Sequence, residues 1–95
     1  MYFSAKLIFE TRPISHGDDS RSVEESIVLI EALNEIDAES EAILIGKSKE
    51  FAYEAADGGI VEVSFLGVRK IYCLFDDKIG HGTEIYSESY YISDV

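Results

Sequence analysis

Residues 2–12 change polarity at almost every step, with Phe3, Ala5, Leu7, Phe9 and Thr11 on one side and Ser4, Lys6, Glu10 and Arg12 on the other. A period of two marks a β-strand with one buried face, because successive side chains point to opposite sides of a sheet. A chain that opens this way is committed to a sheet, and something apolar must cover the side that carries Phe3 and Phe9. Pro13 has no N–H to give to a ladder and closes the strand. Residues 14–21 are polar and turn-rich and read as a loop.

Residues 23–33 predict a second strand of different character. Ile27-Val28-Leu29-Ile30 is apolar on both sides, the pattern of a central strand covered on both faces. A short loop between the two strands makes them an antiparallel pair. A helix is then expected over about 37–50. Asp37 suits its N-cap, Glu39 and Glu41 favour its first turn, and Lys47 and Lys49 its last. Ala38, Ala42, Ile45 and Lys49 form a stripe, Gly46 permits close approach to the sheet, and Ile43 and Leu44 widen the apolar face.

Phe51 to Ala56 predicts a short third strand, and Ala56-Asp57-Gly58-Gly59 a hairpin turn. Val61, Val63, Phe65, Ile71, Cys73 and Phe75 recur on odd positions, so residues 60–75 read as one long strand kinked near Gly67. After a turn at residues 76–82, Thr83 to Ile92 reads as a last strand, followed by a frayed tail, Ser93-Asp94-Val95. The expectation is a single α+β domain over residues 1–95: a curved antiparallel sheet of about five strands, order ββαβββ, with one helix packed on one face.

With 95 residues the chain has room for one two-layer core and not for a deep cavity. Its net charge of −11 is even along the chain, ten acids against four bases in residues 1–48 and nine against four in 49–95. A uniformly acidic surface disfavours nucleic acid and anionic membrane as partners and favours a basic one. Cys73, the sole cysteine, has no intrachain partner and sits in an apolar run, so it is expected as a small buried hydrophobe. Lys6 and Glu10 break up any secretory leader, and no apolar stretch reaches membrane-span length, so a cytoplasmic protein is expected.

The segments Phe3-Ser4-Ala5-Lys6-Leu7, Glu24-Glu25-Ser26-Ile27-Val28-Leu29-Ile30-Glu31-Ala32, Phe65-Leu66-Gly67-Val68 and Gly82-Thr83-Glu84-Ile85-Tyr86-Ser87 together resemble a small bacterial family, domain of unknown function 4288. The likeness runs from Tyr2 to Ser87. Tyr2 stands where many members carry tryptophan, and the loop over residues 13–21 differs. The resemblance implies a stand-alone bacterial domain and assigns no catalytic residues.

No catalytic motif emerges. His16 lies near Asp18 and Asp19, and His81 near Asp76 and Asp77, but no spacing requires these turns to meet around a metal, and neither follows the alternation of a calcium loop. No serine sits in a G-x-S-x-G elbow, and Gly58-Gly59 and Gly80-His81-Gly82 read as hairpin turns rather than phosphate loops. Glu24, Glu62, Glu84 and Glu88 are expected on one sheet face with Lys6, Tyr72 and Tyr86. Two carboxylates close together in a dry cleft would support acid/base chemistry, yet alternation already predicts such a row on a solvated face. Tyrosine suits interfaces, and Tyr86, Tyr90 and Tyr91 fall on the last strand, a natural edge for pairing with another chain.

The expectation is therefore a small acidic, non-enzymatic protein without cofactor that works by protein–protein interaction, as a homodimer or with a basic protein partner. Its candidate binding surface is Lys6, Glu24, Glu62, Tyr72, Glu84, Tyr86 and Tyr90. Two alternatives stand beside it. One is a small-ligand or metal site on the concave sheet face using Glu62, Glu84 and Tyr86; the other is an acidic nucleic-acid mimic.

Overall fold

In the computed structural model, which describes residues 1–14 and 20–93, the elements are β1 (Tyr2–Pro13), β2 (Ser22–Glu31), α1 (Glu35–Ser48), β3 (Phe51–Glu54) and β4 (Ile60–Cys73). The loop residues His16, Asp18 and Asp19 and the end of the tail, Asp94 and Val95, lie outside the described residues. The strands form one antiparallel sheet in the order β2-β1-β4-β3. An α+β domain with a single helix on one sheet face is the expected architecture, with four strands in place of five.

The alternation of β1 does what its period requires. Phe3, Ala5, Leu7 and Phe9 are buried against Ala38 and Ala42 of α1, with Ile30 of β2 completing the core. Val63, Phe65, Val68 and Ile71 of β4 pack against this cluster. Gly46 is buried beside Ala42, and a Cβ there would lie 2.3 Å from the Phe65 ring, so the close approach needs glycine.

The kink near Gly67 has a defined form. Lys6 pairs with Lys70 but Leu7 with Val68, which leaves Arg69 unmatched; Ile8 pairs with Gly67 but Phe9 with Phe65, which leaves Leu66 unmatched. Each extra residue moves the following side chains to the opposite face. The two slips cancel, so the helix side carries Val63 and Phe65, then Val68, then Ile71. Gly67, between the bulges, has φ +151, a backbone region that suits glycine.

Three expectations about the secondary-structure elements need correction. First, β2 is an edge strand, not a central one. Pairing places Val28 and Ile30 toward the helix, while Val23, Ile27 and Leu29 are exposed on the other side. Second, residues 83–92 form no strand. Their alternation is real, but they lie outside the ladder; residues 84–88 meet the sheet through side-chain contacts, and Tyr90 to Ile92 are exposed. Third, the helix begins two residues before Asp37. Asn34 is the N-cap, its side-chain oxygen accepting the Asp37 N–H at 2.8 Å.

Cys73 is exposed rather than buried, because it is the last residue of β4; Leu74 is buried instead. The cap carries a prediction. Asn34→Ala should destabilise the domain by about 1 kcal/mol, whereas Ser40→Ala, at an exposed mid-helix position, should change little. Equal denaturation midpoints for Asn34→Ala and the parent would contradict this assignment.

Candidate functional site

The face of the sheet opposite α1 carries the even residues of β1 and, by register, the odd residues of β2. At one end of this face residues 83–88 lie across the strands. Ser4 donates its hydroxyl to the Ile85 carbonyl, and the Tyr72 hydroxyl donates to the Glu84 carboxylate. The Tyr86 ring meets two cations from paired positions of β1 and β4, 4.8 Å from Lys6 Nζ and 5.6 Å from Lys70 Nζ. Its ring centroid is 5.9 Å from that of Tyr72.

Lys6 is the hub. Its side chain is only 12% exposed, and Nζ meets Glu25 at 3.6 Å and Glu88 at 3.9 Å. Its pKa is held above the ordinary lysine value first by the Tyr86 phenol, with the Glu88 and Glu25 carboxylates adding to that and desolvation opposing it. The ammonium sits over the ring rather than in line with the hydroxyl, so the contact is chiefly a cation–π one. Tyr86 Oη itself is buried with no hydrogen-bond partner among the described residues.

The expected surface residues separate into three places. Lys6, Tyr72, Glu84 and Tyr86 are brought together as described. Glu62 is on the same face but at its far end, 3.7 Å from Arg12. Lys6 and Arg12 are six residues apart on β1, roughly 20 Å at the usual rise of a strand. Glu62 therefore does not converge with Glu84 and Tyr86. Glu24 pairs with Phe9 and so faces the helix side, where it lines an open groove of about 520 Å³ with Lys49, Glu50 and Phe51 past the end of α1. Tyr90 is 82% exposed.

Glu25 occupies the place expected for Glu24, and it also holds Arg69 at 2.5 Å. Ser4, Glu25 and Lys70 are the members of the cluster that sequence reasoning missed. The pairing Lys6 with Ile27 and Ile8 with Glu25 would have found Glu25, but the doubly apolar Ile27–Ile30 run hides which parity faces inward. Among the described residues no group of three His, Cys, Asp or Glu side chains could hold a metal ion, and no helix is long and apolar enough to cross a membrane.

Residues 2–87 match the family model described as a domain of unknown function, DUF4288. The chain belongs to this family. No curated protein and no solved structure matches it. The matched segment of this DUF4288 domain extends past β4 to include Glu84, Ile85 and Tyr86, while Glu88, which also meets Lys6, is beyond it.

The Tyr72–Glu84 contact has a pH consequence. Donation to Glu84, then desolvation and the nearby negative charges, raise the Tyr72 phenol above the ordinary value of about 10. A raised pKa means that the folded state holds this proton more tightly. The stabilisation is therefore complete below about pH 10 and is lost as pH climbs through the raised value. In the DUF4288 domain, the Ile85 methyl NMR shifts should move toward their unstructured values in that alkaline window. Tyr72→Phe should show the moved shifts at neutral pH already and lack the alkaline step. A step of equal size in Tyr72→Phe would refute the linkage.

Proposed function

We propose that this DUF4288 domain is a non-enzymatic interaction module of the bacterial cytoplasm that contacts another protein through the open edge and outward face of β2. The observation that carries this reading is the weakly guarded character of that edge. Natural edge strands are kept from pairing by shortness, charged side chains (lysine above all), proline or a bulge; β2 carries Glu24, Glu25 and Glu31, of which Glu25 is already met by Lys6 and Arg69. β2 runs for ten residues, Ser22–Glu31, contains neither proline nor lysine, and keeps an unbroken register with β1. Its outward side chains include Val23, Ile27 and Leu29, all exposed. The other edge, β3, has only four residues.

A lone thiol such as Cys73 suits a reducing compartment. The ligand-site reading has less support, since Glu62 is far from Glu84 and Tyr86 along the sheet. Acidic mimicry is likewise weaker, because Lys6, Arg12, Arg69 and Lys70 interrupt any carboxylate row on that face.

A photo-crosslinking side chain at Leu29 (49% exposed) and, separately, at Leu44 on the outside of α1 (62% exposed) tests this in living cells. Adducts of defined mass should form from position 29 and not from 44. Equal or absent adducts at the two positions would overturn the assignment of β2 as the contact surface.

A further inference from the structure

We propose that the occupant of the β2 edge is a second copy of this chain, paired antiparallel to it about a two-fold axis at Ser26 so that the two sheets become one. This rests on the interaction reading above and names its partner.

The backbone decides which residues can pair. Ala32 N–H donates to the Met1 carbonyl, and Leu74 N–H to the Tyr2 carbonyl. In an antiparallel ladder both polar groups of a residue point to the same neighbour. With the β1–β2 register, the even residues of β2 therefore bond to β1, and the odd residues turn their N–H and C=O to the open edge. The same odd residues carry the exposed side chains Val23, Ile27 and Leu29. Edge and face thus offer themselves together.

Pairing two identical strands antiparallel, with both sheets continuous, allows only registers in which odd residues meet odd residues. With Ser26 facing its own counterpart, Ile27 meets the second copy's Glu25, Leu29 meets its Val23, and Glu31 meets its Arg21. The symmetry repeats each contact. Leu29 with Val23 is an apolar cross-strand pair, favourable in sheets. Arg21, just before β2, lies 3.6 Å from Glu10 of its own chain, so its guanidinium would be shared between Glu10 and the second copy's Glu31. Glu25 enters with its charge already met by Lys6 and Arg69.

Neighbouring registers lose these matches. Centring on Ile27 sets Val23 against Glu31 and Glu25 against Leu29. Centring on Val28 sets Glu25 against Glu31, and centring on Glu25 sets that carboxylate against itself. Like charges directly opposite are destabilising. Only the Ser26 register spaces the acids of the two strands apart while joining aliphatic to aliphatic and acid to base.

Net charge then gives a signature. Each copy carries −11, so self-association works against long-range repulsion that salt screens. Dimerisation should strengthen as salt is raised, whereas a basic partner would bind more weakly.

The deciding experiment has two arms. Light scattering of the wild-type protein should give twice 10.6 kDa, with a dissociation constant that falls on adding salt. In a Cys73→Ser background, which removes the native exposed thiol, Ser26→Cys, Ile27→Cys and Val28→Cys are oxidised mildly under native conditions. Ser26 pairs with its counterpart at a non-hydrogen-bonded site, where Cα atoms lie about 4.5 Å apart, within disulfide reach. Ser26→Cys should therefore cross-link at least about tenfold faster than the other two.

A dimer that cross-links best through position 27 or 28, or through none, would overturn this pairing and leave the interaction reading standing. A wild-type monomer at both low and high salt would overturn the second copy as occupant. In that case an adduct of another mass from position 29 would keep the interaction reading, and no adduct would end both. Should Ser26→Cys fail to fold, Leu29→Lys decides the matter: it should raise the dissociation constant about 30-fold or more, and an unchanged constant would overturn the proposal.

Discussion

Gly46→Leu should lower the melting temperature by roughly 12–24 °C, equivalent to about 3 kcal/mol in a domain of this size. Glycine inside a helix is unfavourable by about 1 kcal/mol relative to alanine, so its presence at the end of the buried α1 stripe, in the last turn of the helix, requires a reason. The reason is the Phe65 ring, three of whose atoms lie 2.3 to 2.5 Å from where a Cβ would stand. That ring is tilted against Phe9, centroids 5.6 Å apart, so displacing it disturbs the core row of β1.

Gly46→Ala should be much milder, because the gain in helix propensity offsets part of the displacement. Adding Phe65→Ala to Gly46→Leu should recover stability relative to the sum of the two single changes, since the clash and the ring vanish together. Thermal denaturation of the four proteins completes the cycle. Strict additivity would show that the helix and β4 do not meet at this point.

How much of this was legible in advance depends on what a side-chain pattern reports. The strand over residues 2–12, the Ala38–Ala42–Gly46 stripe and the bend at Gly67 follow from burial on one face, and burial is what periodicity encodes. Residues 83–92 show the limit. Ile85 and Tyr91 alternate with Glu84, Tyr86 and Glu88, yet residues 84–88 lie over the sheet instead of joining its ladder and Tyr90 to Ile92 are exposed, and such a segment has the same polarity pattern as a strand. The Ile27–Ile30 run shows another limit, for aliphatic residues on both faces can mean a central strand or an edge that meets another molecule. That ambiguity also put Glu24 where Glu25 belongs, since a shift of one residue exchanges the faces. Asn34 was missed as the cap because Asp37 begins the apolar stripe one turn later, and either residue type caps well.

Phe3→Ala is the second large effect, an expected loss of about 3–5 kcal/mol. Phe3 is 2% exposed, flanked in the sheet by Ile30 and Cys73 and covered by the helix side of the core. Small domains have about 5–15 kcal/mol in total, so this variant should be partly unfolded at physiological temperature. Tyr91→Ala is the matched control: the side chain is 104% exposed, and its removal should change stability by no more than about 0.5 kcal/mol. Protein concentration separates core from contact surface. A dimer that unfolds to separate chains melts higher as concentration rises. Phe3→Ala should depress the melting temperature at every concentration while preserving that rise. Leu29→Lys should leave the dilute-limit melting temperature near the parent's and abolish the rise. The two residues lie on strands that neighbour each other in the sheet but on opposite faces, so their variants should fail in different ways. A concentration-independent melting temperature in the parent would leave the core argument for Phe3 intact and remove the self-association of β2.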